Sequence, residues 1–291
     1  MKNSSITLIF VLFSTFFFSQ DSIVVKEKNK GSRYFNSTYG LTYSSYRDEA
    51  TSPLFYNGTG LAFGVGLSKF KSQYESQLDL NLNISANLSK TPENQLYPSK
   101  KIAYFINMAL HYHHLRMISS LSKDKRTVLI GGTSTTNFNS RINPSLQNAT
   151  AGIEFLHNFM ITGKVNFDIS RLEERNLKLW FFKKHLKPKQ RTLNAIVNIG
   201  LLNFNYRPNY AYLSDADING SETNWVNYYL NGYQLKMNGW ALSSSIEYIR
   251  YKENKNALKW SYNWSAYSAP GNYETFQMAM HQVKFTIMFK R

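Results

Sequence analysis

Polar and apolar side chains alternate one by one over stretches of about ten residues along most of this chain. A period of two excludes a helix, whose faces repeat about every 3.6 residues; only an extended strand sends successive side chains to opposite sides. Leu78, Leu80, Leu82, Ile84, Ala86 and Leu88 fall on one face, while Asp79, Asn81, Asn83, Ser85 and Asn87 fall on the other. In the preceding segment Leu61, Phe63, Val65 and Leu67 alternate with Ala62, Gly64, Gly66 and Ser68. The following one sets Ile102, Tyr104, Ile106, Met108, Leu110 and Tyr112 against Ala103, Phe105, Asn107, Ala109, His111 and His113.

The pattern returns in Phe35, Tyr39, Leu41 and Tyr43, in Val165, Phe167 and Ile169, and in Leu193 through Leu201, where Asn194, Asn198 and Asn203 stand opposite. Near the end Trp240, Leu242, Ile246 and Tyr248 form one apolar column, and Leu258, Trp260, Tyr262 and Trp264 form the next, with Lys252 to Asn256 as a polar turn between them. Residues 126–136 and 147–156 read as strands with mixed faces. Repeated asparagine and serine opposite repeated leucine fits an all-β, antiparallel transmembrane β-barrel, with lipid outside and a polar lumen inside. Clear and doubtful segments together suggest about 12 strands, within a range of roughly 10 to 14, since single-chain bacterial barrels close on even numbers. The competing arrangement is a soluble barrel or sandwich with the same apolar faces turned inward.

Lys2 followed by the 13 residues from Ile6 to Phe18, apolar except for Thr7, Ser14 and Thr15, reads as a secretory signal peptide over residues 1–20, cleaved near Ser19 or Gln20. Elsewhere the sequence has no run approaching the roughly 18 apolar residues of a membrane helix. Residues 21–291 show no linker or shift of composition and read as a single barrel domain. Cysteine is absent, which excludes disulfide and thiolate chemistry. The 20 Tyr, 20 Phe and 5 Trp suit a surface that meets both lipid and water. Removing Lys2 with the signal leaves 33 basic residues against 18 acidic, a balance of +15. For an exported chain the available polyanion is not nucleic acid but the phosphate-bearing lipid of the outer leaflet.

The chain ends with Val283, Phe285, Ile287 and Phe289 alternating with Lys284, Thr286, Met288 and Lys290, followed by Arg291. This ending resembles the terminal strand of Gram-negative outer-membrane barrel proteins, although the aromatic stands two residues before the end. The resemblance is one of class. It implies residence in the cell outer membrane and the barrel-insertion machinery as a partner during biogenesis; no obligate protein partner can be read from the sequence.

The lumen-side candidates are Asp79, Asn81, Asn83, Asn87, Asn107, His111, His113, Asn194 and Asn198. Between Leu177 and Arg191 the aromatics Trp180, Phe181 and Phe182 precede Lys183, Lys184, Lys187, Lys189 and Arg191, a combination suited to headgroup depth and lipid phosphate. Residues 171–186 read either as an amphipathic helix, with Ser170 and Glu173 as a capping box, or as a hairpin. Asp215, Asp217 and Asn219, followed by Gly220, resemble the first half of a calcium loop, but Val226 stands where the glutamate belongs. Calcium is the sole cofactor suggested, and residues 207–227 read as an extracellular loop. His111 and His113 share a face without a third metal ligand. Ser119, Ser120 and His114 lie close in sequence but do not form the motifs of barrel phospholipases or lipid A deacylases. The function expected is a small pore or uptake channel for small solutes. Alternatives are a structural or accessory barrel with a filled lumen, binding a partner through its loops, and a lipid-modifying enzyme.

Overall fold

The period-two segments form strands throughout a computed structural model, which describes residues 31–90, 100–149, 151–180, 182–208, 233–270 and 275–291. In chain order these are β1 (Ser32–Asp48), β2 (Ser52–Phe70), β3 (Tyr74–Lys90), β4 (Lys100–Met117), β5 (Arg126–Ile142), β6 (Ala151–Asp168), β7 (Arg175–Leu179) and β8 (Phe182–Leu186). They continue as β9 (Arg191–Pro208), β10 (Tyr233–Met237), β11 (Trp240–Tyr251), β12 (Ala257–Pro270) and β13 (Thr275–Lys290). Each of β1 to β5 pairs antiparallel with the next; β6 then pairs with β9, β9 with β11, and β11 with β12. β12–β13 and β13–β1 pairing close the ring at ten strands. β10 is an additional short strand. Its register on β9 (Met237↔Phe204) continues that of β11 (Leu242↔Ile199), so it prolongs β11 beyond Asn238 and Gly239. Gly239 has φ +83°, which favours a residue without Cβ. β7 and β8 pair only with each other.

The ring has ten strands, inside the expected range but below 12; one strand of the difference arises because two of the segments read separately, around 147–156 and 165–170, are largely the two ends of β6. In its middle His157 and Asn158 put polar groups on both faces, so the alternation vanishes while the strand continues. The region 171–186 is not a helix. Its backbone extends the β6–β9 ladder through a bridge between Arg171 and Lys189 into the β7–β8 hairpin.

Apolar columns face outward. Leu80 on β3 is 43% exposed, whereas its neighbours Asn81 and Asn83 are 9% and 4% exposed. β2, β4, β9, β11 and β13 repeat the arrangement with Leu61, Met108, Val197, Ile246 and Val283 outside. In water each such side chain would forgo about 1.5–3 kcal/mol of burial, so a soluble barrel with an inward apolar core is ruled out. Leu78 to Leu88 covers ten residue steps, about 34 Å along the strand. At a tilt of ~40° that gives a belt ~26 Å tall, the thickness hydrocarbon requires. No described helix is long and apolar enough to cross a membrane; the strands do so.

Two local devices shape the wall. Inward-facing Gly66 and Gly64 leave room for β3 side chains: a Cβ on Gly66 would lie 2.0 Å from Asp79 Oδ1, and one on Gly64 2.6 Å from Asn81 Oδ1. On β9 the partner of Phe159 is Leu202 and that of Met160 is Gly200, so Leu201 is the extra residue of a bulge. Leu201 and Leu202 both point outward, at 65% and 47% exposure. This parity change explains why Asn203, odd-numbered, faces inward like even-numbered Asn194 and Asn198.

An even number of strands brings Gly31 and Arg291 to the same end, together with the connections 71–73, 118–125, 169–190 and 252–256. The connections 49–51 and 143–149 lie at the opposite end, where Pro208 pairs with Tyr233 of β10. The signal peptide expected over 1–20 and the calcium candidates Asp215, Asp217 and Asn219 lie outside the described residues.

Candidate functional site

Inward-facing side chains fill the barrel in three levels. At the level farthest from the termini, Asp48 accepts hydrogen bonds from Arg141 (2.6 Å) and Arg207 (2.9 Å). Arg141 also pairs with Glu154, and Arg207 donates to the carbonyl of Ala269. These groups come from β1, β5, β6, β9 and β12, so the bonds run across the lumen rather than along the wall. An aromatic floor lies against them. Tyr46 stacks on Tyr56 and on Phe105, each at 5.3 Å between centroids, and both guanidinium groups sit over Phe276. All four ions and Tyr46, Tyr56, Phe105 and Phe276 are buried.

The middle level is made of amides and hydroxyls. Gln282 on β13 donates to Asn83 on β3 across the lumen, Asn83 donates to Asn107 at 2.9 Å, and Asn107 to Asn139 at 2.8 Å. Asn139 donates in turn to Tyr267 at 2.7 Å. On the other side Thr162 donates to Asn198, and Asn198 to Ser243, both at 2.8 Å.

Nearest the termini Lys164 pairs with Glu75 and lies 4.0 Å from Glu247. Glu247 also receives Lys259 and Asn194, each at 3.1 Å, and His113 Nε2 lies 3.4 Å from Glu75. Four acids and four bases thus occupy the two ionic levels, leaving them formally neutral. Between the levels remains a cavity of about 200 Å³.

Of the lumen candidates, Asp79, Asn81, Asn83, Asn107, His111, His113 and Asn198 line this cavity. Asn87 is buried beside Ser44, to which it donates at 2.8 Å, and Asn194 belongs to the lower ionic level. His111 and His113 do not converge: one meets Thr135 at 3.1 Å, the other Glu75. Among the described residues no three potential ligands are placed for a metal ion. Ser119 and Ser120 sit in a short 3-10 turn, His114 packs outside against Tyr74, and no hydrogen bond joins them among the described residues. Lys183 and Lys184 lie on β8, with Lys187, Lys189 and Arg191 following at the terminal end of the barrel.

The sequence reading missed the ionic levels. Asp48, Glu75, Arg141, Glu154 and Arg207 lie outside the columns named above, and Lys164, Glu247 and Lys259 stand on the polar faces opposite named apolar columns. The usable signal was charge of both signs at lumen parity inside strands, since a buried ion requires a partner.

No family model matches the chain, and no curated protein matches it in sequence. Its fold does match solved structures. The outer membrane protease OmpT from Escherichia coli aligns over 92% of this chain and 99% of its own, at 6% identity and a TM-score of 0.54. The translocator domain of the autotransporter NalP from Neisseria meningitidis aligns over 98% and 95%, at 10% identity, with a TM-score of 0.33. The transport unit of the autotransporter AIDA-I from Escherichia coli aligns over 96% and 97%, at 7% identity, with a TM-score of 0.32. The latter two are too loose to carry a strand-by-strand argument. With its outward apolar belt and closed ring, the chain has the fold of Gram-negative outer-membrane β-barrels, and the outer membrane is where it resides.

Proposed function

We propose that this protein is a closed outer-membrane barrel, a structural or accessory body that works through its rims and loops rather than as a standing pore. The observation that carries this reading is the pair of ionic levels tied across the lumen. Side chains lining an open channel remain accessible to water, yet Arg141, Glu154, Lys164 and Glu75 are at most 5% exposed. The cavity between the levels, at about 200 Å³, is smaller than the ~300 Å³ at which small-molecule sites begin.

Passage of a small polar solute is the second reading, favoured by the polar lining of that cavity and by Lys284 on its wall. It requires both ionic levels to part. Purified, refolded protein in planar bilayers decides between them: the closed barrel gives no discrete conductance across salt conditions, and steady unitary steps would overturn the closed reading.

A further inference from the structure

The belt ends differently at its two rims. At the terminal end the last outward-facing position is Arg33 on β1, Lys69 on β2, Arg116 on β4, Arg126 on β5, Arg191 on β9 and Arg250 on β11. Arg291 follows outward-facing Phe289 on β13. Lysines in the adjoining turns, Lys71, Lys123, Lys125, Lys252 and Lys255, are exposed at the same end. Carboxylates there are fewer: Asp124, Asp168, Glu173, Glu174 and Glu253. Around the opposite rim, among the described residues, outward-facing Arg47 is matched by Glu49 at 2.8 Å, Arg141 and Arg207 turn into the lumen, and one like-charge pair, Lys90 across from Lys100, stands at the β3–β4 end.

These rim cations are not dispersed to avoid one another. Arg33 stands directly across from Lys69, and the backbone N–H of Arg291 donates to the Arg33 carbonyl at 2.9 Å, which brings the two residues side by side. Arg191 stands directly across from Arg250. Like charges in register on neighbouring strands destabilise a sheet. Among the described residues no salt bridge joins any of these five to a carboxylate within 4.0 Å. Lys69 and Arg291 rest over the rings of Tyr74 and Phe35, at 5.3 and 5.5 Å, which leaves the charge of these pairs open to a counter-ion from outside the barrel wall.

We propose that this collar binds the phosphates of anionic glycerophospholipid in the periplasmic leaflet. Guanidinium forks match phosphate oxygens in two-bond geometry, which suits a rim that is mostly arginine. The leaflet is inferred from the fold: Gly31 and Arg291 both lie at this rim, and a barrel inserted from the periplasm keeps the ends of its ring on that side. Trp180, at the tip of the β7–β8 hairpin on the same end, is fully exposed. The outer leaflet, expected from the charge balance alone, faces the rim where fewer such cations stand among the described residues.

The test uses the mature barrel in neutral detergent. Its thermal unfolding midpoint, read by gel mobility, should rise with phosphatidylglycerol and not with phosphatidylcholine of the same chains. Apparent affinity should differ by at least about tenfold, since each cation near an anionic surface contributes roughly 1 kcal/mol. Changing Arg33→Gln, Lys69→Gln, Arg191→Gln and Arg250→Gln together should abolish the preference, while the barrel stays folded because like-charge pairs are relieved. Equal shifts with both lipids, or a preference kept by the fourfold variant, would overturn the proposal. The leaflet is checked separately with Ser120→Cys, a unique thiol in a cysteine-free chain. An impermeant maleimide should label it only after the outer membrane is permeabilised; labelling of intact cells would put the collar against outer-leaflet lipid and sink the assignment.

Discussion

Removing Lys164 probes the lower ionic level most directly. Its ammonium is 2% exposed, pairs with Glu75 and lies 4.0 Å from Glu247. At that separation, with the effective dielectric of about 20 that suits protein sites, each attraction is worth ~4 kcal/mol before desolvation is deducted. Losing one partner of a buried pair costs about 3–5 kcal/mol, chiefly because the other is left uncompensated. Lys164→Met should therefore destabilise the barrel by about 3–5 kcal/mol in urea unfolding, followed by gel mobility and tryptophan emission. Adding Glu75→Gln removes the stranded charge, while Glu247 keeps Lys259 and Asn194 at 3.1 Å. The double variant should recover most of the loss, to within about 2 kcal/mol of the parent. If the single change costs less than about 1 kcal/mol, or the two losses simply add, the lower level is not the tied layer described above.

Further expectations rest on the wall. A Cβ on Gly60 would lie 1.9 Å from the Ile84 carbonyl oxygen, a backbone atom that cannot move aside, whereas Gly163 has open space. Gly60→Ala should cost about 1–3 kcal/mol and Gly163→Ala less than about 0.5 kcal/mol in the same unfolding assay; equal costs would contradict the β2–β3 packing. Leu82→Arg, in the middle of the belt, should cost about 2–4 kcal/mol in lipid, and Leu88→Arg near the rim no more than about 1 kcal/mol. A reversed order would misplace the belt.

The fold was legible because lipid and lumen impose opposite demands on neighbouring residues, and β3 records both without interruption. β6 was legible only in part. His157 faces outward yet is polar, and it is accommodated by Thr136 on β5 at 2.8 Å and by Phe159, whose ring centroid is 4.6 Å away. Such compensation by a neighbouring strand leaves no trace in the local pattern. The lumen was harder still. Arg207 and Asp48 are 159 residues apart in sequence and Gln282 and Asn83 are 199, so their meeting depends on the number of strands and the register of each. Columns of asparagine announce a polar interior; whether it holds water or closes on itself depends on the ions inserted among them. Six of those eight ions, Asp48, Glu75, Arg141, Glu154, Arg207 and Lys259, sit within three residues of a strand end, where charge ordinarily signals a solvated rim.

The bulge at Leu201 bears on how this protein can change length. Deleting that residue would join Gly200 to Leu202 and leave every later side chain of β9 on its present side, whereas deleting Leu82 from unbulged β3 would turn each following asparagine toward lipid. Natural shortening of the wall is thus open at this one position of β9 and closed along β3, so relatives one residue shorter in β9 should have lost it there.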